Sequence, residues 1–421
     1  MISGAKPAAD TTAAAGHRSV PARPAGDRSG AGLGRLALFG ALSALGPVSI
    51  DMYAPALPKM AAALGGAPRD LQLTMTVFVA GLAIGQLVIG PVSDAVGRRR
   101  PLLWGLALYT CASLACAAAT GTWWLTAGRL AQALGAAGAL VLVRAVVRDL
   151  YTGTHLSRTF ARLMLVNGLA PVLAPAIGGF AVGWVGWRWL FVAMAASGAA
   201  MYLAVLLKLP DSRPPGPDRA VDARRLLRSM GRVLGDRAFV VNTAGAGLTF
   251  AGCLFAYVAG GPFVLQVVYG LSPQAFAAVM GVNGVGIILA GRLSNLLVGR
   301  WGEYAMVVLG MSVACVGGAG VLVTTTVHLG LPVLLCALFV LVGPIGLVVP
   351  NSASLALAAH AETAGAASAL LGVTHLVIGA IAIPLVGIGG GTDPVVLGTV
   401  MVVFTASALA LTVALRPRKA G

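Results

Sequence analysis

The sequence predicts an all-α integral membrane protein of twelve transmembrane helices in two six-helix bundles. Three observations lead there. Of 421 residues, 58% are hydrophobic and 10% charged, with a mean hydropathy of +0.90, a composition foreign to water-soluble globules. The apolar residues come in runs of about 20, the length needed to cross hydrocarbon about 30 Å thick. One long polar connection, Pro210 to Asp236, divides those runs into two equal sets. A β-barrel is excluded, since its strands would read as alternating segments of about 10 residues.

Residues 1–33, rich in Ala, Gly, Pro and Arg, are expected to form a disordered tail. The first apolar run, 35–57, lacks a convincing cleavage site and is long enough to span, so it reads as a retained helix rather than a signal peptide. The second run, 71–93, is closed by Arg98, Arg99 and Arg100, and the next two, 101–120 and 123–146, are separated only by a short turn around Gly121. The fifth, 160–183, contains Pro171 and Pro175, and the sixth, 187–208, ends at Lys208. After the connection come 239–262, 274–294, 304–325, 329–350, 364–388 and 395–415, bounded by polar, Gly- or Pro-containing turns. The expected organisation is therefore a tail (1–33), a first bundle (34–208), a linker (209–238), a second bundle (239–416) and a short tail (417–421). Within the linker, Ala223 to Leu234 fits either an amphipathic helix on an anionic leaflet or a solvated basic segment.

The formal charge of +16 could suggest nucleic acid, but its distribution points to topology. The spans leave Lys59, Arg69 and Arg188 on one side and Arg129 within the membrane, while the other Lys and Arg fall on the opposite side or its edge. That asymmetry places both termini in the cytoplasm of a multi-pass cell-membrane protein. No basic patch interleaved with aromatics is present for nucleic acid. The five cysteines, Cys111, Cys116, Cys253, Cys315 and Cys336, fall inside spans without ligand-like spacing and read as packing residues.

Two charged residues stand out because the membrane interior makes them costly. Asp51, in the first run, lies about six residues inside Leu57, roughly 9 Å of helix rise. An ionised carboxylate there costs several kcal/mol unless it meets water or a partner. Arg129, in the fourth run, lies about six positions inside Trp123, so the two come to the same depth from opposite ends. If they share a cavity, the proton affinity of Asp51 depends on the balance between a nearby cation and apolar surroundings, which closure to water can tip. The alternative is a static ion pair that orients the helices.

Gly90, Asp94, Gly97 and Arg98 form a loop pattern in Gly90 to Arg100, a tight turn in which Asp94 can cap a helix N-terminus and Arg98 can pair with Asp149. A weaker echo, Gly291 to Arg300 with Asn295 in place of the Asp, follows the second span of the latter half and suggests duplication of a six-helix unit. In the fifth span Asn167 to Gly179 reads NGLAPVLAPAIGG, where Pro175, Gly178 and Gly179 permit close helix approach and a kink.

These passages, with SIDMYAPALP (Ser49 to Pro58), RLAQALGAAGALVLVRAVVRDLY (Arg129 to Tyr151) and AGGPFVL (Ala259 to Leu265), resemble the major facilitator superfamily. More narrowly, the chain resembles the twelve-span drug:proton antiporters of the bicyclomycin- and chloramphenicol-resistance (Bcr/CflA-type) branch. The resemblance implies the major facilitator fold, with two pseudo-symmetric bundles. It also implies a Gly90–Arg100 loop that latches the halves in the outward-facing state, and proton coupling through Asp51 and Arg129. Where the family's fifth-span signature carries Gly-Pro, this chain has Ala174-Pro175.

The expected function is proton-coupled export of small amphiphilic drugs, such as phenicol- or bicyclomycin-like compounds, by alternating access, with no cofactor beyond the proton gradient. Its partners would be a drug substrate, protons and the bilayer, with no nucleic acid, and the protein would be a monomer. One proton crossing about 100 mV and one pH unit supplies about 3.7 kcal/mol, enough for a roughly 500-fold gradient of a neutral substrate. No phosphate-binding loop motif is present for direct use of ATP. Candidate substrate contacts are Tyr53, Gln132, Asn167, Tyr257, Asn283, Asn351 and His375, each also suited to an interhelical hydrogen bond. The alternative on the same fold is an uptake carrier for a small nutrient or metabolite. A membrane enzyme or channel is disfavoured because acids and histidines are scattered and no ring of like charge is evident.

Overall fold

The computed structural model describes residues 29–209, 223–360 and 363–415. Among these residues the regular structure is helical throughout. The first half comprises α1 (Ser29–Asp51), a 3₁₀ turn (Ala54–Ala56), α2 (Leu57–Leu64), α3 (Pro68–Val96), α4 (Arg99–Ala117), α5 (Thr122–Leu150), α6 (Gly153–Trp184) and α7 (Arg188–Lys208). Then follow α8 (Ala223–Leu234), α9 (Arg237–Phe250), a π turn, α10 (Ala256–Phe263), a second π turn, and α11 (Pro273–Trp301). The chain closes with α12 (Glu303–Val327), α13 (Leu331–Val342), α14 (Ile345–Leu357), α15 (Ala364–Val386) and α16 (Pro394–Ala414). Helix α1 begins inside the segment expected to be disordered, whereas residues 1–28, 210–222 and 416–421 lie outside the described residues.

Ten helices among the described residues are long and apolar enough to cross a membrane. Helices α4 and α6 occupy the third and fifth expected positions without meeting that measure. In α4 the reason is visible: the helix starts at Arg99 and Arg100, whose charges dilute a 19-residue segment. Exposed Trp123, Trp124, Trp184 and Trp189 lie at the end from which α5 and α7 start, as expected of an aromatic belt at a membrane interface.

The runs expected at 35–57 and 329–350 are broken rather than continuous. Pro55 has no N–H to offer the Asp51 carbonyl, so α1 stops at Asp51 and the chain turns through Ala54–Ala56 before α2. Gly343 and Pro344 likewise divide α13 from α14, which runs on to Leu357. Elsewhere the boundaries follow local chemistry. Prolines occupy the first helical turns of α3, α11 and α16, and Ser272 and Asp393 accept N-terminal amides at 3.1 and 2.8 Å.

The internal echo is present, but its register differs from the sequence reading. Gly97 ends α3 at φ 89°, ψ 167°, and its counterpart is Gly302, which ends α11 at φ 81°, ψ 160°. Helix α11 runs straight through Gly299 and Arg300 to that turn. Both glycines occupy backbone conformations that other residues rarely adopt.

In the first half, α5 packs on α3 and α4, α4 on α7, and α1 on α6; in the second, α12 packs on α16 and α14, and α9 on α14. Two seams, α6–α11 and α3–α15, join the halves. At one end the halves are clamped. Gln72 Nε2 donates to the carbonyls of Ala259 (3.3 Å) and Gly391 (3.2 Å), and Gln266 Nε2 donates to Pro55 (3.2 Å). At the other end a recess of about 310 Å³ lies between α3 and α5 on one wall and α15 on the other. Helix α8 docks beside it through Val233, which packs with Phe239, Ala367 and Leu370, so this part of the linker is anchored on the second half.

Close α4–α5 packing depends on glycine, since a Cβ at Gly135 would lie 2.6 Å from the Gly105 carbonyl oxygen. Gly135→Leu is therefore expected to destabilise the protein by about 1–3 kcal/mol through overpacking. Gly138→Ala, whose added Cβ meets nothing nearer than 3.5 Å, should be tolerated. Unfolding midpoints of the detergent-solubilised variants check both, and an unchanged midpoint for Gly135→Leu would contradict the packing.

Candidate functional site

Arg129 is fully buried on α5, and its charge is distributed over neutral groups. Nη1 donates to Gln132 Oε1 (2.7 Å), and Nη2 donates to the Ser49 carbonyl (3.2 Å) near the end of α1. The guanidinium carbon lies 3.9 Å from the Phe78 ring centroid and 4.5 Å from that of Tyr53, so two aromatic faces solvate it. Gln132 is oriented in turn by its amide donating to Ser113 Oγ (2.7 Å). Ser49 Oγ is within 2.7 Å of Tyr109 Oη, and Tyr53 Oη within 2.5 Å of Thr74 Oγ1. One guanidinium thereby ties together α1, α3, α4 and α5.

Asp51 is buried at the last position of α1, two residues beyond the carbonyl that Arg129 holds. Among the described residues no hydrogen bond or ion pair reaches its carboxylate, and it is the only buried carboxylate. The expected Asp51–Arg129 pair is therefore not formed in this conformation, and the recess between the halves touches neither residue. The cause is the helix break. Counting helix rise assumed a continuous helix through Leu57, but the chain turns at Asp51, and the guanidinium meets a backbone carbonyl at the broken end.

The same break touches the fifth-span glycines. A Cβ at Gly178 would overlap the Met52 carbonyl oxygen, next in the chain to Asp51, while one at Gly179 would crowd the Pro273 carbonyl and Ala277 of α11. With Pro175 buried beside them, Gly178 and Gly179 form a contact line from the Asp51 break to the other half. At the opposite end Arg98 Nε lies 3.5 Å from Asp149 Oδ2, the pairing expected from the sequence, and Arg98 Nη1 donates to Ser93 Oγ (2.6 Å). Gly90 has open space around it, Gly97 forms the turn, and the side chain of Asp94 lies outside the described residues.

The expected substrate contacts divide in two. Tyr53 and Gln132 belong to the Arg129 cradle, and Asn351 Nδ2 is satisfied by Ser294 Oγ (2.7 Å) and the Leu347 carbonyl (2.6 Å), so it links α11 to α14. The side chain of Asn167 lies outside the described residues. In contrast, Tyr257 Oη faces the Asn283 side chain without a well-formed hydrogen bond, and among the described residues Asn283 Nδ2 and His375 Nε2 are also buried without partners. His375 is held by stacking on Phe250, with ring centroids 5.7 Å apart. Tyr257, Asn283 and His375 are thus buried polar groups with hydrogen-bonding capacity to spare. Ser49, Thr74, Phe78 and Tyr109 were not singled out from the sequence, because uncharged residues in apolar runs carry no signal until the fold sets them around Arg129.

Residues 38–384 match the family model of the Major Facilitator Superfamily. The chain belongs to that superfamily. Among curated relatives, an uncharacterized MFS-type transporter, YdgK of Bacillus subtilis (strain 168), is 38% identical, covering 87% of this chain and 91% of its own length. A bicyclomycin resistance protein homolog of Haemophilus influenzae is 28% identical over 82% of this chain and 86% of its own, and a chloramphenicol resistance protein of Pseudomonas aeruginosa is 29% identical over 69% and 68%. Among solved structures, a bacterial homolog of the human lysosomal transporter Spinster shares the fold at a TM-score of 0.74 and 15% identity, covering 93% of this chain and 98% of that one. This major facilitator protein is a transporter and not an enzyme.

Arg129→Lys keeps the charge but loses the planar fork that reaches Gln132 and Ser49 together. Each hydrogen bond to a charged group contributes about 1.5–3 kcal/mol, so Arg129→Ala is expected to abolish active transport and Arg129→Lys to impair it severely, with both proteins still present in the membrane. Immunoblots of membrane fractions alongside transport assays check this; normal activity in Arg129→Ala would contradict it.

Proposed function

We propose that this transporter exports small amphiphilic compounds, of phenicol or bicyclomycin type, in exchange for protons by alternating access. The observation that carries this reading is Asp51, a buried carboxylate at a helix break with no counter-ion among the described residues. An ionised, unpaired carboxylate is costly in the membrane interior, so this enclosure suits the proton-bearing form. Release of the proton then requires access to water or a different arrangement of the break. Arg129 acts as a positioning residue, holding the end of α1 through the Ser49 carbonyl so that Asp51 has a defined place.

Gly178 packs on the segment that follows Asp51 and Gly179 packs on α11, so a change at Asp51 is transmitted through α6 to the seam between the halves. Tyr257, Asn283 and His375 are among the groups of the second half with free hydrogen-bonding capacity among the described residues, and they supply polar contacts to the drug. The positive-inside pattern puts both termini in the cytoplasm, the clamp formed by Gln72 and Gln266 on the outside, and the recess on the cytoplasmic side. The relatives named for resistance to bicyclomycin and chloramphenicol support the direction and substrate class.

In proteoliposomes with an imposed pH gradient, chloramphenicol should drive proton movement through the wild type and not through Asp51→Asn. Coupled exchange that survives undiminished in Asp51→Asn would remove this residue from the mechanism. Chloramphenicol movement in the direction of the protons would replace the exporter with an uptake carrier.

A further inference from the structure

The proton pathway leaves one charged group on the inner face of the bundle unexplained. Arg144 lies on α5, fifteen residues beyond Arg129, about 22 Å along the same helix. Fifteen residues is a little over four turns, so the two arginines lie about 60° apart around α5. Arg129 has hydrogen bonds at Nη1 and Nη2 and two aromatic faces, whereas among the described residues Arg144 has no hydrogen bond, ion pair or ring contact. It is half-buried and lines the recess of about 310 Å³ between the halves, together with Gln86, Arg98, Arg148, Met230 and Ser368.

The charged side chains that line this recess among the described residues, Arg98, Arg144 and Arg148, are all cationic. Arg98 is occupied by Asp149 and Ser93, whereas Arg144 and the Gln86 amide have hydrogen-bonding capacity left over. Apolar walls from Leu87, Leu140 and Val141 keep bulk water from screening the guanidinium fully. The opposite wall is the first turn of α15, Gly365 to Ala369, whose helix dipole adds positive potential rather than offsetting it. A half-desolvated guanidinium with planar, bidentate geometry, set among further cations and hydrogen-bond donors, matches a phosphate or carboxylate.

We infer that the recess between α3, α5 and α15 is a binding site for an anionic oxygen group, a phosphate or carboxylate, held by Arg144 with Gln86 and Ser368. Its walls belong to both halves, so an occupant stabilises the arrangement in which this end stands open and is expelled when the walls approach. The site is independent of the efflux reading, because it requires neither Asp51 nor a transport direction. The same chemistry is available from a soluble anion or from the headgroup of an acidic phospholipid.

The test uses the full-length protein in phosphatidylcholine nanodiscs, with unfolding midpoints read from tryptophan fluorescence. One arm titrates inorganic phosphate against potassium chloride of equal ionic strength, and the other replaces part of the phosphatidylcholine with phosphatidylglycerol and omits phosphate. A saturable rise in midpoint with phosphate assigns a soluble anion, and a rise only with phosphatidylglycerol assigns a lipid headgroup; both support the site. Arg144→Gln is expected to weaken the response about tenfold or more, the loss of a charge-assisted hydrogen bond. Gln86→Glu, which supplies an internal carboxylate without removing Arg144, should do the same and guards against misfolding of the first variant. Identical responses in the wild type and both variants, or no wild-type response to either probe, would overturn the assignment.

Discussion

A transmembrane helix that stops inside the membrane must find partners for the backbone groups it releases, because hydrocarbon supplies none. In this transporter the break is encoded by Pro55, which removes the amide that would have extended α1 past Asp51, and it is closed by Arg129, whose guanidinium donates to the Ser49 carbonyl. The arginine in turn needs somewhere to place a buried charge. Phe78 and Tyr53 offer ring faces, Gln132 offers an oxygen, Ser113 and Thr74 hold Gln132 and Tyr53 in place, and Tyr109 bonds the Ser49 hydroxyl. The first bundle is organised around this one hydrogen-bonded cation, and the unpaired carboxylate of Asp51 stands at its edge.

That arrangement separates two roles that a simple ion pair would merge. A cation satisfied by neutral groups does not have to change when a carboxylate two residues away gains or loses a proton. The short segment after Asp51 packs instead on Gly178, and the neighbouring Gly179 packs on the opposite half. Small residues at these contacts let helices meet backbone to backbone, where a shift of an ångström has no side chain to absorb it.

Much of the fold is legible in the sequence because apolar length and the placement of Arg and Lys are direct consequences of the bilayer. What hydropathy does not report is backbone continuity: the runs around Pro55 and Pro344 are apolar throughout, and only the missing proline amides mark the turns within them. The register of the internal repeat was hidden for a related reason. Gly299-Arg300 imitates Gly97-Arg98 in letters, but only φ and ψ identify Gly302 as the turn. At the site, Asp51, Arg129 and the Arg98–Asp149 pair are conspicuous because charge in or near a membrane is costly. The cradle residues are uncharged and become significant only through their positions, and Arg144, near a span end, carries no individual signal in the sequence. Its lack of a partner among the described residues is a property of the folded molecule alone.

The account turns on whether Asp51 holds a proton that substrate displaces. The most direct measurement is proton release on adding chloramphenicol to the purified, weakly buffered protein, followed with a pH indicator at several starting pH values. The expected result is release by the wild type that varies with starting pH and is absent in Asp51→Asn, which should still bind the drug by equilibrium dialysis. Equal release from Asp51→Asn, or drug binding by the wild type with no release at any pH, would contradict the assignment of Asp51 as the proton carrier.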